Sequence, residues 1–251
     1  MSDSPPDPSS RFQDISTHSS VLAEPRALLQ RYGRAITGYL TSLVGPEDAD
    51  DAVNEFAIQI LKGGFTRWEG STRGLFRNYL QRSVRNHAST FKHRGRRRAE
   101  SLPDGDLFTD PRRQASGDAR WLSEWRNALL QAALKDLKDY QEGRGGENVY
   151  YTLVLLLIAE ADGHAKTSAG ELAALLSRET GRPYTEDNAR QQALRARRKF
   201  AELLVLEVAR TLEEVTPGQV EDELKTLGLH AHVADHLSLD REALDRLLAR
   251  A

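Results

Sequence analysis

Residues 168–204 read SAGELAALLSRETGRPYTEDNARQQALRARRKFAELL. The first four spell a capping box: the Ser168 hydroxyl accepts from the Glu171 backbone N–H, and the Glu171 side chain reaches back to the Ser168 N–H. Leu172, Leu175 and Leu176 complete a short helix, and residues 178–184, with Gly181 and Pro183, turn the chain. Thr185 then serves as a second N-cap. In the helix beyond it, Ala189, Ala193, Ala196, Phe200, Leu203 and Leu204 share one face at helical spacing. Asn188, Gln191, Gln192, Arg195, Arg198 and Lys199 fall on the other. A short helix, a turn and a long helix with amides and guanidinium groups outward is what a helix-turn-helix needs, because those side chains pair with base edges and hold phosphates. An ordinary helical hairpin tolerates the same polar face, so both readings stand at this point.

Upstream and downstream of this stretch the pattern stays helical, and no segment alternates like a strand. Residues 149–162 form a nearly all-apolar helix, which is expected to have neighbours on every side. Before it, Trp121, Trp125, Leu129, Ala132, Leu134, Leu137 and Tyr140 suit one long amphipathic helix broken at residues 143–146, GRGG. Residues 101–117 are polar, with Pro103, Gly105, Pro111 and Gly117, and read as a flexible linker. A first helix carries Leu28, Leu29, Tyr32, Ile36, Tyr39, Leu40 and Leu43 and stops at Gly45-Pro46. A second, over residues 46–62, buries Ala49, Val53, Phe56 and Ile60 and stops at Gly63-Gly64; a third turns Leu75, Phe76, Tyr79, Leu80, Val84 and Phe91 inward. Residues 1–20, rich in Ser, Pro and Asp, cannot offset the entropy of ordering and are expected to be disordered. After residue 211, Thr216-Pro217-Gly218-Gln219 starts another capped helix, and residues 238–250 hold a last short one. The expected fold is all-α: a helical domain over residues 21–100, the linker, a second helical domain over 118–211 and a helical C-terminal extension over 212–251.

The 251 residues carry a formal net charge of −2, which on its face argues against a nucleic-acid binder. The average conceals an asymmetry. Arg67, Arg73, Arg77, Arg82, Arg85, Lys92, Arg94, Arg96, Arg97 and Arg98 face the single acid Glu69, while Glu47, Asp48, Asp50, Asp51 and Glu55 crowd the second helix. Separate parts of the chain are thereby fitted to separate partners. The chain has no cysteine, which excludes disulfides and thiolate metal sites and fits the cytoplasm. The start, MSDSPPDPSSR, lacks the apolar core of a signal peptide, and the longest apolar run is too short to span a bilayer, so no membrane insertion is expected.

A run of arginines is often only a solvated face, but charges of one sign repel one another unless a polyanion or an acidic surface compensates them. Phe65 and Trp68, in the loop before the third helix, are placed to stack on unpaired bases. Glu47 and Asp48 complement the dipole at the start of the second helix; Asp51 and Glu55 lie further in, where that explanation fades. His232 and His236 stand one helical turn apart in HAHVADH, yet no third ligand is well placed, so no metal is expected. GRGG lacks the ending of a phosphate loop, and no nucleophilic triad or carboxylate pair stands out. Neither a cofactor nor an enzymatic activity is expected.

These residues together resemble the extracytoplasmic-function sigma factors of RNA polymerase, in the sigma-70 superfamily. Residues 46–56, PEDADDAVNEF, are similar to the family's polymerase-binding helix. Gly74-Leu75-Phe76-Arg77-Asn78-Tyr79-Leu80 and Val84-Arg85-Asn86 resemble the stretch that follows it, ending in the basic run 92–98. Glu171-Leu172-Ala173 through Asn188-Ala189-Arg190-Gln191 to Arg195-Ala196-Arg197-Arg198-Lys199-Phe200 resembles the family's upstream-element reader. The matches occur in the family's order and cover residues 21–100, as a region 2-like domain, and 118–211, as a region 4-like domain. The turn at residues 178–184 is longer than the family's, and Thr72 and Gly74-Leu75 replace positions commonly aromatic in it.

The resemblance implies that Asp48, Asp51 and Glu55 contact core RNA polymerase. It implies that Phe65, Trp68, Arg73, Arg77, Arg85, Asn86 and Arg94 serve the downstream promoter element and its melting. Asn188, Arg190, Gln191, Gln192, Arg195, Arg198 and Lys199 would then read the upstream element in the major groove. The extension over residues 212–251 is expected to be a regulatory element that packs on the upstream-reading module or on a partner such as an anti-sigma factor. A free-standing helix-turn-helix regulator is the alternative, and a helical adaptor that touches no DNA is a third reading.

Overall fold

The structure is a computed structural model, and it describes residues 24–63, 75–98, 111–144, 148–161, 167–212 and 215–249. Every regular element among them is a helix: α1 (Pro25–Val44), α2 (Ala49–Leu61), α3 (Phe76–Arg98), α4 (Pro111–Arg144), α5 (Val149–Ala161), α6 (Ala169–Thr180), α7 (Glu186–Ala209), α8 (Pro217–Thr226), α9 (Ala231–Ala234) and α10 (Arg241–Leu248). Among the described residues no helix is long and apolar enough to cross a membrane. The chain divides into two units, the first running to Ala128 and including Arg210–Val215, the second formed by Leu129–Ala209 and Thr216–Ala251.

In the first unit α1, α2 and α3 pack against one another. Leu28, Tyr32, Ile36, Tyr39 and Leu40 from α1 meet Ala52, Phe56 and Ile60 from α2 and Phe76, Leu80, Val84 and Ala88 from α3 in one buried core. The N-terminal part of α4 completes it with Trp121 and Trp125: the Trp125 ring stacks on Tyr32 at 4.1 Å, and Trp121 tilts against Tyr39 at 5.4 Å. Such ring pairs add to the apolar area they bury. Gly117 permits the approach, since a Cβ there would lie 2.8 Å from Ser42 Oγ and 3.3 Å from Tyr39 Cε2.

This corrects the expected boundary. The linker read over residues 101–117 lies outside the described residues up to 110, and from Pro111 onward the chain is helical. Pro111 and Gly117 are not breaks: proline is tolerated in a first helical turn, and the glycine marks a close helix crossing. Residues 118–128 accordingly belong to the first unit rather than opening the second. The tail expected over residues 1–20 lies outside the described residues.

The second unit is built around α7, against which α5, α6, α8, α9 and α10 all pack. Val205, Val208, Val220, Leu224, Leu229, Val233 and Leu244 are buried there, so the residues after Thr216 share the core of this unit. α5 is less enclosed than its sequence led one to expect: Tyr151, Leu157 and Ile158 are exposed.

Candidate nucleic-acid interface

The α6–turn–α7 segment is held by local chemistry at each joint. Ser168 Oγ accepts from the Glu171 N–H at 3.2 Å and the Glu171 carboxylate accepts from the Ser168 N–H at 2.9 Å, closing the capping box. α6 ends at Gly181, whose φ of 67° is left-handed and favours glycine. Within the turn the Tyr184 N–H donates to Ser177 Oγ at 2.9 Å, and Asn148 donates to the Tyr184 hydroxyl at 2.9 Å. Thr185 Oγ1 then accepts from the Asn188 N–H at 3.3 Å and starts α7. Beneath the turn Leu156, Leu172, Ala173, Leu176, Ala189 and Ala193 form a single apolar cluster, the alanines letting the helices approach closely.

With its inner side so fixed, α7 presents Asn188, Arg190, Gln191, Arg195 and Arg198 to solvent. Arg190 makes an exposed ion pair with Asp187 at 3.1 Å, and Arg198 Nε lies 3.6 Å from Glu202. Lys199 is more confined: it pairs with Glu202 at 3.1 Å and its ammonium sits 4.6 Å from the centre of the Tyr140 ring. Gln192 does not belong to the outer face. It is 7% exposed, because at about 100° per residue it stands only about 60° from Ala189 and falls among the inward alanines. One member of the face was not anticipated: Leu194 is 60% exposed on it. Its spacing from Ala189 and Ala193 places it outward despite its apolar character.

The first unit treats its arginines differently. Arg77 is 6% exposed and therefore does not present its guanidinium outward, since position 77 shares the inward stripe of Leu80 and Val84. Arg85 is half-buried and engaged within the unit, donating to the Tyr39 hydroxyl at 2.7 Å and to Asp118 Oδ1 at 3.0 Å. The same Asp118 oxygen accepts from the Tyr39 hydroxyl and from Gln81 Nε2, each at 2.8 Å. Burial raises the Tyr39 pKa, Arg85 opposes that shift, and Asp118 adds to it. This network ties α1, α3 and the start of α4 together.

Asn86 and Arg94 are exposed, and so are Asp48, which precedes α2 as its N-cap, and Asp51 and Glu55 within it. Glu55, Asn86 and Arg94 line one groove of about 770 Å³ between α2 and α3, with Ile58, Gln59 and Lys62. On its floor His87 donates from Nε2 to the Ala52 carbonyl at 3.0 Å, and burial pushes its pKa down while Glu55 opposes and Arg94 reinforces the shift. Phe65, Trp68 and Arg73 lie outside the described residues.

No family profile, no curated protein and no solved structure matches the chain.

Proposed function

We propose that this chain is a promoter-recognition subunit of the extracytoplasmic-function sigma type, a non-enzymatic cytoplasmic protein that binds core RNA polymerase and directs it to promoter DNA. The observation that carries the reading is the outer face of α7, where Asn188, Gln191, Arg195 and Arg198 stand exposed on a helix seated by the capping box, the turn and the apolar cluster beneath it. The major groove, about 12 Å wide, admits an α-helix, and these side chain types match base edges: arginine to guanine, asparagine or glutamine to adenine. The exposed acids Asp48, at the N-cap of α2, and Asp51 and Glu55 within it support a second, cationic protein partner, for which the resemblance names the polymerase. In this reading Asn86 and Arg94 remain on the side serving the downstream element, whereas Arg77 and Arg85 shape the unit that carries them. An anti-sigma factor is the regulatory partner that such a subunit would have.

Transcription reconstituted from the purified chain and bacterial core polymerase tests this. The expected result is initiation at defined sites, with weak and strongly salt-dependent DNA binding by the chain alone. Failure to co-purify with core polymerase, together with a tight palindromic footprint in its absence, would replace this reading by the free-standing regulator.

A further inference from the structure

Leu194 has no role in the packing of α7 described above. It is 60% exposed, while Ala189, Ala193 and Ala196 fill the inner side of the same turns. Single exposed leucines are common on protein surfaces. What distinguishes this one is its company: the positions one turn away along the helix are Arg190, Gln191, Arg197 and Arg198, and Arg195 adjoins it. A protein partner that covered Leu194 would also strip water from several guanidinium groups. A partner that is polyanionic around its rim and apolar at one small spot offsets that loss, because its phosphates receive the arginines.

Duplex DNA offers that combination. Along the major groove the apolar feature is the C5 methyl of thymine, flanked by base-edge acceptors and, at the groove walls, by phosphates. Resting on the proposed role of the α7 face, we infer that Leu194 is a specificity-determining residue that covers the methyl group of one thymine in the upstream element. Gln191 and Arg198, one turn to either side, address the neighbouring base pairs or the phosphates. The contact is formed by removing two apolar surfaces from water and involves no proton or charge transfer. Its chemical signature is therefore sensitivity to a methyl group and to nothing else on the base.

The test uses the full-length chain, alone and with core polymerase, and begins with selection from a randomised duplex library to obtain the preferred upstream element. Each thymine of that element is then replaced singly by deoxyuridine, which removes the methyl and keeps every hydrogen-bonding group. At one position the wild-type chain should lose about fourfold in affinity, the effect of one buried methyl group. Leu194→Ala should bind the thymine and deoxyuridine duplexes equally, with an unchanged unfolding midpoint. If no single deoxyuridine weakens wild-type binding while Arg195→Ala does, the Leu194 inference is overturned and the α7 reading survives. If no sequence is enriched and Arg195→Ala has no effect, the α7 reading falls and takes this inference with it.

Discussion

Arg94 Nη2 lies 2.7 Å from Glu55 Oε2, joining α3 to α2 beside the groove between them. One of these residues was expected to face DNA and the other the polymerase, yet in the free chain they meet each other. Their side chains are 57% and 45% exposed, so the pair is screened by solvent and contributes little to stability, on the order of 0–1 kcal/mol. It is a contact that either external partner can displace at small cost.

Glu55→Gln should therefore shift the unfolding free energy by less than about 1 kcal/mol. Glu55→Lys should reduce capture of core polymerase by at least about tenfold, the size of one truncated interfacial charge contact. Adding Arg94→Glu, which rebuilds the ion pair in reverse, should not restore capture. Restoration would mean that the internal pair, and not the outward carboxylate, is what the polymerase requires.

The Arg85 network leads to the opposite expectation. Arg85 and Asp118 are each more than one-third exposed, so solvent tempers their attraction, but Asp118 Oδ1 serves three donors at once. Asp118→Ala should destabilise the protein by about 1–2 kcal/mol in denaturant unfolding. Arg85→Ala should likewise be read out in stability before it is read out in DNA affinity. A variant of normal stability with lost DNA binding would return Arg85 to the interface.

On α7 neighbouring positions separate cleanly. Arg195→Ala should weaken DNA binding by about tenfold or more without loss of stability, as expected for one base or phosphate contact. Gln192→Met, similar in length and apolar, should leave DNA affinity unchanged. Equal loss of affinity in both variants would contradict the assignment of faces.

His87 gives the first unit a pH dependence with a definite sign. Burial holds its folded pKa below the ordinary imidazole value near ~6.5, so folding favours the neutral ring. Its stabilising contribution is complete above that unfolded value and is lost as pH falls from there through the folded pKa. Glu55 and Arg94 are the charged groups that act on it, in opposite directions. The midpoint of thermal unfolding should fall between about pH 7 and pH 5, and His87→Gln, whose amide keeps a donor for the Ala52 carbonyl, should flatten that slope. An unchanged slope would move the dependence to other groups.

The sequence was most legible where a short-range rule acts alone. The Ser168 and Thr185 caps and the Ala189–Ala193–Ala196 stripe are set within one or two helical turns, and the structure has them as read, whereas the turn read over residues 178–184 begins only at Gly181, because α6 continues through Thr180 to a left-handed glycine. Misreadings arose where a polar side chain occupies an inward position. The amide of Gln192 suggests an outer position and the resemblance gives Arg77 a DNA contact, although the angular positions of both point in; Leu194 is the converse, an apolar side chain at an outward position. Gly117 shows a different limit: a glycine in a polar stretch looks like a break, and only the Ser42 and Tyr39 atoms across from it reveal a helix crossing. The Arg85–Tyr39–Asp118 contacts join residues far apart in the chain, which helical periodicity does not register.

Protection of guanine N7 from dimethyl sulfate probes the major groove directly, on a promoter bound by the chain together with core polymerase. The outer face of α7 should protect guanines in the upstream element, and Arg195→Ala combined with Arg198→Ala should abolish that protection while polymerase capture persists. Protection that is absent, or that survives the double substitution, would contradict the placement of α7 in the groove.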